Sequence, residues 1–174
     1  SPSRPAKMDA RLGGGNFMGQ GCYTVSVARF LLGEPTRVIS AEMVEDAPGS
    51  RADISTSVAL TFAGGATARL RSSALSAGFN LRLQLTEGNI SLTNYLFPSI
   101  YHRIEVQRPG SATRVEKLYG DGETTFEYQL AAFYRAVRGT EPFPLPPDDA
   151  ISNMQTIDDI YERSGLGKRP SRGL

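Results

Sequence analysis

Cysteine and histidine are almost absent from this sequence, which has one of each among its 174 residues. The single cysteine, Cys22, excludes a disulfide bond within the chain. It lies in an apolar helical pattern, where a buried and unreactive thiol is the common role. A structural zinc ion takes four side-chain ligands, mostly cysteine and histidine, and Cys22 and His102 alone do not supply them. We therefore expect no metal site.

An excess of charge of one sign and a long apolar run are also lacking. The 19 basic and 18 acidic residues nearly cancel, so no domain-wide positive field would attract nucleic acid or an anionic membrane. No apolar run approaches the roughly 18 residues that a membrane span requires. The polar segment from Ser1 to Lys7 has no apolar core of a secretory signal. These absences predict a soluble, cytoplasmic protein with neither a nucleic-acid nor a membrane partner.

The glycine cluster Gly13–Gly15 lacks the residues of a phosphate-binding loop. Gly14 and Gly19 keep the spacing of such a loop, but Gln20 and Gly21 stand where lysine and serine or threonine are required. A dinucleotide fingerprint needs a buried strand before its glycines, and the residues that precede this cluster have no strand pattern. The sequence therefore predicts that these glycines open a helix and do not hold phosphate.

The rest of the sequence predicts one helix, a run of strands and two more helices. Apolar residues at three- and four-residue spacing indicate the first helix, between Gly15 and Gly33. Alternating residues between 38 and 118 predict six or seven strands, mostly antiparallel because their connections are short. The next helix begins at a capping box formed by Thr124 and Glu127. Apolar stripes on the last two helices are Phe126, Leu130, Phe133 and Val137, and then Ala150, Met154, Ile157 and Tyr161, the second being an expected buried face.

This order of elements predicts an α+β fold. We expect a two-layer domain with a largely antiparallel open sheet of about six strands and with helices packed on one face. Residues 1–12 are polar and are expected to form an extended arm or linker, and residues 13–174 are expected to form the domain. The other sheet face is either solvated or a partner surface, and it carries Ser55, Ser57, Thr61, Thr67, Arg69 and Arg71.

The first helix has a second row of residues beside its apolar stripe, namely Gly19, Tyr23, Ser26 and Phe30. Positions 19 and 23 are one turn apart, so side chains there reach the same space. A phenol at this point can transfer a proton if a nearby cation lowers its pKa. Alternatively, Tyr23 is a packing residue with its hydroxyl at the edge of the core. The residues by themselves leave both roles open.

Motifs near both ends of the chain resemble those of one enzyme family. They are Gly13-Gly14-Gly15, Gly21-Cys22-Tyr23 and Leu31-Leu32-Gly33-Glu34-Pro35 near the start, and Tyr128-Gln129-Leu130 with Phe133, Asp149-Ala150-Ile151-Ser152-Asn153-Met154, Ile157-Asp158-Asp159-Ile160-Tyr161 and Gly165-Leu166 near the end. In this order they resemble the C-terminal domain of the glucose–fructose oxidoreductase/inositol dehydrogenase (Gfo/Idh/MocA) family over nearly the whole chain. The resemblance implies an NAD(P)-dependent oxidoreductase acting on sugars, polyols or dihydrodiols.

The resemblance also implies roles for individual residues and partners. An N-terminal Rossmann domain in the family binds NAD or NADP and supplies a catalytic lysine. No such domain precedes these motifs, so we expect a truncated chain whose partners are that missing domain and a small-molecule substrate. Tyr23 matches the family position that faces the substrate and is the candidate catalytic residue. Gly19 stands where the family commonly has an aspartate, and Asn16 and Gln20 are candidate contacts to substrate hydroxyls.

More than one function fits these observations. The first is the substrate-binding and oligomerisation domain of such an oxidoreductase, inactive alone and forming a dimer through the polar sheet face, as the resemblance implies. The second is a non-catalytic binding or assembly module that keeps the fold but has lost its chemistry, because Gly19 cannot do the work of a carboxylate. A free-standing small-ligand domain is a third. The substrate and the choice between NAD and NADP stay open.

Overall fold

The computed structural model describes residues 6–76, 78–120 and 122–170, and these residues form two units. One unit contains the described residues up to 76 and from 146 onward, and the other contains those between 78 and 145. The helices are α1 (Cys22–Leu32), α2 (Thr125–Val137) and α3 (Pro147–Ser164), and the strands are β1 (Pro35–Glu45), β2 (Asp53–Phe62), β3 (Thr67–Ser73), β4 (Asn80–Leu85), β5 (Gly88–Thr93), β6 (Tyr101–Gln107) and β7 (Arg114–Tyr119).

The first unit is built on an antiparallel sheet in the order β1-β2-β3. Along β2, Val58 and Leu60 are buried whereas Ser57 is exposed, so the alternation expected from the sequence is present. In β3, Arg69 and Arg71 are exposed and lie opposite Ala59 and Ser57 of β2. One face of this sheet is therefore polar and open to solvent.

The other face of this sheet is covered by the helices of the first unit and contains its hydrophobic core. Fully burying a valine, leucine, isoleucine or phenylalanine side chain stabilises a fold by about 1.5–3 kcal/mol. The core consists of Phe17, Val25, Ala28, Val58, Leu60, Phe62, Leu70, Ile157, Ile160 and Tyr161. Met18, Cys22 and Leu32 are half-buried against it. The apolar stripe predicted for the first helix, which consists of Met18, Cys22, Val25, Ala28 and Leu32, is therefore the face that packs on the sheet.

Arg29 joins the C-terminal end of α1 to the start of α3. Its guanidinium donates to both carboxylate oxygens of Glu34, at 2.9 and 2.5 Å. It also lies 3.0 Å from a carboxylate oxygen of Asp149 and donates to the backbone carbonyl of the same residue at 3.2 Å. Hydrogen bonding to Glu34 raises the pKa of Arg29, and hydrogen bonding from Arg29 lowers the pKa of Glu34.

The second unit contains an antiparallel meander in the order β4-β5-β6-β7 and the helix α2. The predicted capping box at the start of α2 is confirmed: Thr124 Oγ1 accepts from the Glu127 N–H at 3.2 Å, and the Glu127 carboxylate accepts from the Thr124 N–H at 2.5 Å. The apolar stripe of α2 stays between 55% and 75% exposed at Phe126, Leu130, Phe133 and Val137. The capping box determines where this helix begins, but the described residues do not provide a surface that buries its stripe.

The α+β class and the antiparallel strands are confirmed, with two corrections to the predicted architecture. The strands lie in two sheets, of three and four strands, where one open sheet of about six was expected, because hydrogen-bonded pairing stops between β3 and β4. In α3, Ile157 and Tyr161 are buried as expected, whereas Ala150 and Met154 are exposed. These two residues lie toward the N-terminal end of α3, away from the buried half of the helix.

The segment predicted to be an extended arm is also different. Residues Ala6–Met8 and Ala10–Leu12 form two short 3-10 turns, and residues 1–5 lie outside the described residues. The Asp9 carboxylate accepts from the Arg11 N–H at 2.9 Å, and this local bond favours a turn over an extended backbone.

We predict that Glu34→Gln lowers the free energy of unfolding by about 0.5–1 kcal/mol at neutral pH, a value kept small because Glu34 is largely exposed and screened. The folded-state pKa of Glu34 lies below its unfolded value. Its stabilisation is therefore fully present above the unfolded pKa and is lost as the pH falls through the folded pKa. Denaturant unfolding at neutral and acidic pH measures this difference, which should shrink on acidification.

The matched control for this prediction is Glu42→Gln, which changes an exposed carboxylate on β1. We expect it to leave stability nearly unchanged at every pH, because an exposed carboxylate contributes little. A Glu34→Gln effect that is the same at neutral and acidic pH would contradict the assignment of the stabilisation to the Arg29–Glu34 pair.

Candidate functional site

The first helix begins with a single turn of π-helix, Phe17–Gly21, which continues directly into α1. A Cβ atom added at Gly21 would lie 2.1–2.5 Å from atoms of the Phe17 ring. The ring therefore occupies space that only glycine at position 21 leaves free. Turns of π-helix are uncommon and frequently occur at functional sites, so this helix start is the candidate functional site.

Three of the four candidate residues are exposed at this helix start. Gly19, Gln20 and Tyr23 are accessible, and the Tyr23 side chain is 44% exposed. Apart from the neighbouring backbone of the helix itself, no atom of the described residues lies within 4 Å of a Cβ added at Gly19, so the space that a carboxylate would occupy is open. The Tyr23 ring is thus available to a small molecule or to another protein surface.

Asn16, the fourth candidate, lies on the inner side of the helix start. Its exposure is 7%, and its side-chain amide donates to Ser72 Oγ on β3 at 2.7 Å. The amide thereby links the beginning of the helix to the sheet. The structure brings Gly19, Gln20 and Tyr23 together on the exposed side and places Asn16 beneath them.

A fully buried carboxylate lies under the same helix start. Asp53, the first residue of β2, has no exposed surface. Its Oδ2 accepts from the Phe17 N–H at 2.7 Å and from Thr56 Oγ1 at 3.0 Å, and its Oδ1 accepts from the Tyr161 hydroxyl at 2.7 Å. A buried charge is costly unless it is hydrogen-bonded or paired, and these three donors satisfy the carboxylate.

Tyr161 and Arg169 complete this buried group. The Tyr161 hydroxyl also accepts from the Met18 N–H at 3.2 Å, and burial raises the pKa of Tyr161, with the Asp53 carboxylate adding to the increase. The phenol therefore stays protonated and keeps donating to Asp53. The Arg169 guanidinium carbon lies 3.9 Å from the centre of the Tyr161 ring, and its Nη2 lies 3.5 Å from Asp53 Oδ1. This cation balances the buried charge of Asp53.

Gly15 makes the close approach of these groups possible. A Cβ at this position would lie 2.4 Å from Asp53 Oδ1 and 2.8 Å from the Tyr161 hydroxyl, and the residue has a φ of +142°. Both the available space and the backbone conformation therefore require glycine here.

The amide groups of the glycine cluster already have partners within the chain. The Gly13, Gly14 and Gly15 N–H groups donate to the carbonyls of Ala10, Asp9 and Lys7 at 3.2, 2.8 and 2.9 Å. At the helix start, where a phosphate would bind, the Asp53 carboxylate and the Tyr161 hydroxyl accept the free N–H groups. These residues do not fit the pyrophosphate of a dinucleotide, in agreement with the reading of the glycine spacing.

Within residues 6–76, 78–120 and 122–170, no group of three or more histidine, cysteine, aspartate or glutamate side chains is arranged to hold a metal ion. No helix in that part of the chain is long and apolar enough to cross a membrane.

Sequence reasoning did not identify the buried group. Tyr161 was expected only as an apolar contact of α3, and Asp53 and Arg169 were not singled out. The available signal was a carboxylate at the head of a strand whose inward positions are otherwise mostly apolar. That signal is weak, because the same residue type is common in the turn before a strand.

The fold and the site together define an α+β domain that presents a fixed, glycine-rich helix start with an exposed phenol. Residues 1–91 match the model of the GFO/IDH/MocA C-terminal domain, and this chain belongs to that oxidoreductase family. It is 33% identical over 165 residues to D-xylose 1-dehydrogenase (NADP(+)) 2 of Haloferax volcanii. This match covers 92% of the chain and 49% of the relative, so the chain spans about half the length of the curated relative it matches.

Solved structures share the fold. An aldose-aldose oxidoreductase from Caulobacter crescentus, complexed with glycerol, superposes with a TM-score of 0.80 at 20% identity, covering 93% of this chain and 49% of the other. A 3-ketoreductase from Actinomadura kijaniata superposes with a TM-score of 0.71 at 18% identity, covering 87% and 48%. The chain therefore shares its fold with about half of each of these solved chains.

We predict that Gly21→Ala lowers the free energy of unfolding by about 1–3 kcal/mol, because the added methyl group overlaps the Phe17 ring. Gly19→Ala is the matched control in the same turn, with no atom near the added methyl group. It should be neutral or stabilising by up to about 1 kcal/mol, since alanine favours a helix over glycine. Urea unfolding of both variants measures the difference, and equal effects would contradict the packing of Phe17 against Gly21.

Proposed function

We propose that this chain is the substrate-binding and oligomerisation domain of an NAD(P)-dependent oxidoreductase acting on a sugar, polyol or dihydrodiol-type substrate. The observation that carries the proposal is the exposed Tyr23 ring beside the open space at Gly19, on a helix start whose inner side is fixed. The 33% identity to a D-xylose dehydrogenase that uses NADP supports a sugar-like substrate and a nicotinamide cofactor. The cytoplasmic location inferred from the sequence is part of this proposal.

The cofactor is assigned to a separate domain because the glycine cluster and the helix start of this chain do not fit its pyrophosphate. The nicotinamide, when bound there, supplies or accepts hydride. Tyr23 has the other task, which is to move the proton of the substrate hydroxyl. Its phenol is accessible, so it can exchange a proton with a substrate hydroxyl that reaches this surface. Gln20, exposed on the same turn, is the candidate hydrogen-bond partner for a further substrate hydroxyl.

A second candidate function is a non-catalytic binding or assembly module. The feature that favours it is Gly19, since the open space there holds no carboxylate. The coding sequence upstream of Ser1 separates the two functions. A dinucleotide fingerprint together with the family's catalytic lysine supports the enzyme, and a cofactor fold without that lysine supports the module.

Oligomerisation is assigned to the polar face of the first sheet, where Ser57, Thr67, Arg69 and Arg71 are exposed. We predict that reversing the charge of both arginines, Arg69→Glu with Arg71→Glu, weakens self-association by about tenfold or more, because like charges at an interface are strongly unfavourable. Sedimentation velocity over a range of concentrations measures this. Lys117→Glu, on exposed β7, is the control and should not change association. A chain that is monomeric throughout, or a double variant that associates normally, would refute the assignment.

For catalysis, we predict that Tyr23→Phe lowers turnover by about 10²-fold or more in the enzyme that carries both domains, because the variant keeps the ring and loses the transferable proton. Steady-state kinetics with aldose substrates measures the effect. Phe30→Leu, which changes an exposed side chain two turns further along α1, is the control and should leave turnover unchanged.

The same assay has a second arm. The 174-residue chain alone, supplied with NAD or NADP, should show no turnover, because hydride chemistry belongs to the cofactor and its domain. Turnover by the chain alone would refute the division of tasks between the domains. An unchanged rate for Tyr23→Phe would reduce Tyr23 to a packing residue.

A further inference from the structure

The buried residues Asp53, Tyr161 and Arg169 have no part in the chemistry proposed above. Asp53 and Tyr161 nevertheless accept hydrogen bonds from backbone N–H groups at the start of the helix that carries Tyr23. We propose that Asp53 and Tyr161 are positioning residues of the candidate site: they hold the π-turn Phe17–Gly21 in place and thereby set the position of the Tyr23 phenol. The structural half of this inference rests on contacts alone. Its catalytic half rests on the proposed function.

The contacts that carry the inference satisfy two backbone donors that a helix cannot satisfy by itself. The first N–H groups of any helix lack partners within the helix. Here the Phe17 N–H donates to Asp53, which is 36 residues away on β2. The Met18 N–H donates to the Tyr161 hydroxyl, which is 143 residues away on α3. The helix start is therefore tied to two distant elements of the first unit.

The helix start depends on these ties because its own sequence provides little rigidity. Gly15, Gly19 and Gly21 lie within or next to the turn, and glycine loses more conformational freedom on folding than any other residue. The far end of α1 is held separately, by Arg29 and its acidic partners. Loss of the Asp53 and Tyr161 contacts should therefore loosen the beginning of the helix while its far end stays in place.

Tyr161 and Asp53 also act on each other. The Tyr161 hydroxyl donates to Asp53 while it accepts from the Met18 N–H. The same phenol therefore orients the Asp53 carboxylate and holds the second residue of the π-turn. Tyr161→Phe keeps the ring that Arg169 covers and removes only the hydroxyl. Asp53→Asn keeps the shape of the side chain and removes the charge opposite Arg169. Both variants therefore weaken the same hydrogen-bond network, one at the Tyr161 hydroxyl and the other at the Asp53 carboxylate.

Cys22 provides a probe that does not depend on any activity. It is the only cysteine of the chain and the first residue of α1, directly after the π-turn. It is half-buried, and burial raises the pKa of its thiol. The thiol therefore reacts slowly with iodoacetamide in the folded chain and faster when the helix start opens.

The experiment compares iodoacetamide labelling of the 174-residue chain with labelling of Tyr161→Phe and Asp53→Asn, all at denaturant concentrations adjusted to equal global stability. We expect both variants to label about tenfold faster, as the loss of a buried hydrogen bond increases local opening. Asp149→Asn is the control, because it weakens the Arg29 cluster at the far end of α1. At denaturant concentrations adjusted to equal global stability, it should label at the wild-type rate. Equal rates of Cys22 labelling in Tyr161→Phe and Asp149→Asn would overturn the proposal. This comparison by itself decides the question if Asp53→Asn does not fold.

The second readout uses the enzyme that carries both domains. Tyr161→Phe should lower kcat by about tenfold with an unchanged KM for the nicotinamide cofactor, and it should cause little further loss in a Tyr23→Phe background. If Tyr161 had only a structural role, Tyr161→Phe and Tyr23→Phe would lower kcat by independent factors, and the double variant would show the product of the two losses. That result would overturn the positioning role in catalysis. If Tyr23→Phe alone leaves turnover unchanged, the catalytic role proposed for Tyr23 fails, whereas faster Cys22 labelling in Tyr161→Phe still supports the structural half.

Discussion

The interaction on which the first unit depends is the burial of the Asp53 carboxylate under the start of the first helix. The charge is removed from water completely, and it is stable there because donors from the helix start, β2 and α3 converge on its two oxygens. Removing one partner of such a buried charged group typically costs about 3–5 kcal/mol. The carboxylate therefore fixes the relation between three elements that are distant in the sequence.

This arrangement divides the helix start into two sides with different tasks. On the inner side, Asn16, Phe17 and Met18 are hydrogen-bonded to the sheet and to α3. On the outer side, Gly19 and Tyr23 are exposed to solvent. The role proposed for Tyr23 requires this combination, because an exposed side chain is placed accurately only when its backbone is held in place.

The two units of the chain differ in how they bury apolar surface. The first unit has a continuous core of fully buried side chains from helices and sheet. In the second, none of the described residues is fully buried, and α2 keeps an exposed apolar stripe. Four strands and one helix offer little area for mutual burial, since small units bury a smaller share of their surface than large ones. The four strands and α2 form nevertheless, because alternation and a capping box are local signals in the sequence.

Much of this protein was determined by its sequence alone, because the relevant signals are local. The pattern of the residues predicted six or seven strands, and the described residues contain seven. Apolar spacing predicted the helices, and the Thr124–Glu127 spacing predicted a capping box that is present. The missing cation after the glycines excluded a phosphate loop. Tertiary structure alone decided that Asn16 turns inward, that the strands form two sheets, and that Asp53, Tyr161 and Arg169 meet. Those outcomes depend on which residues from distant parts of the chain come within a few ångströms of one another, and no local pattern encodes that distance.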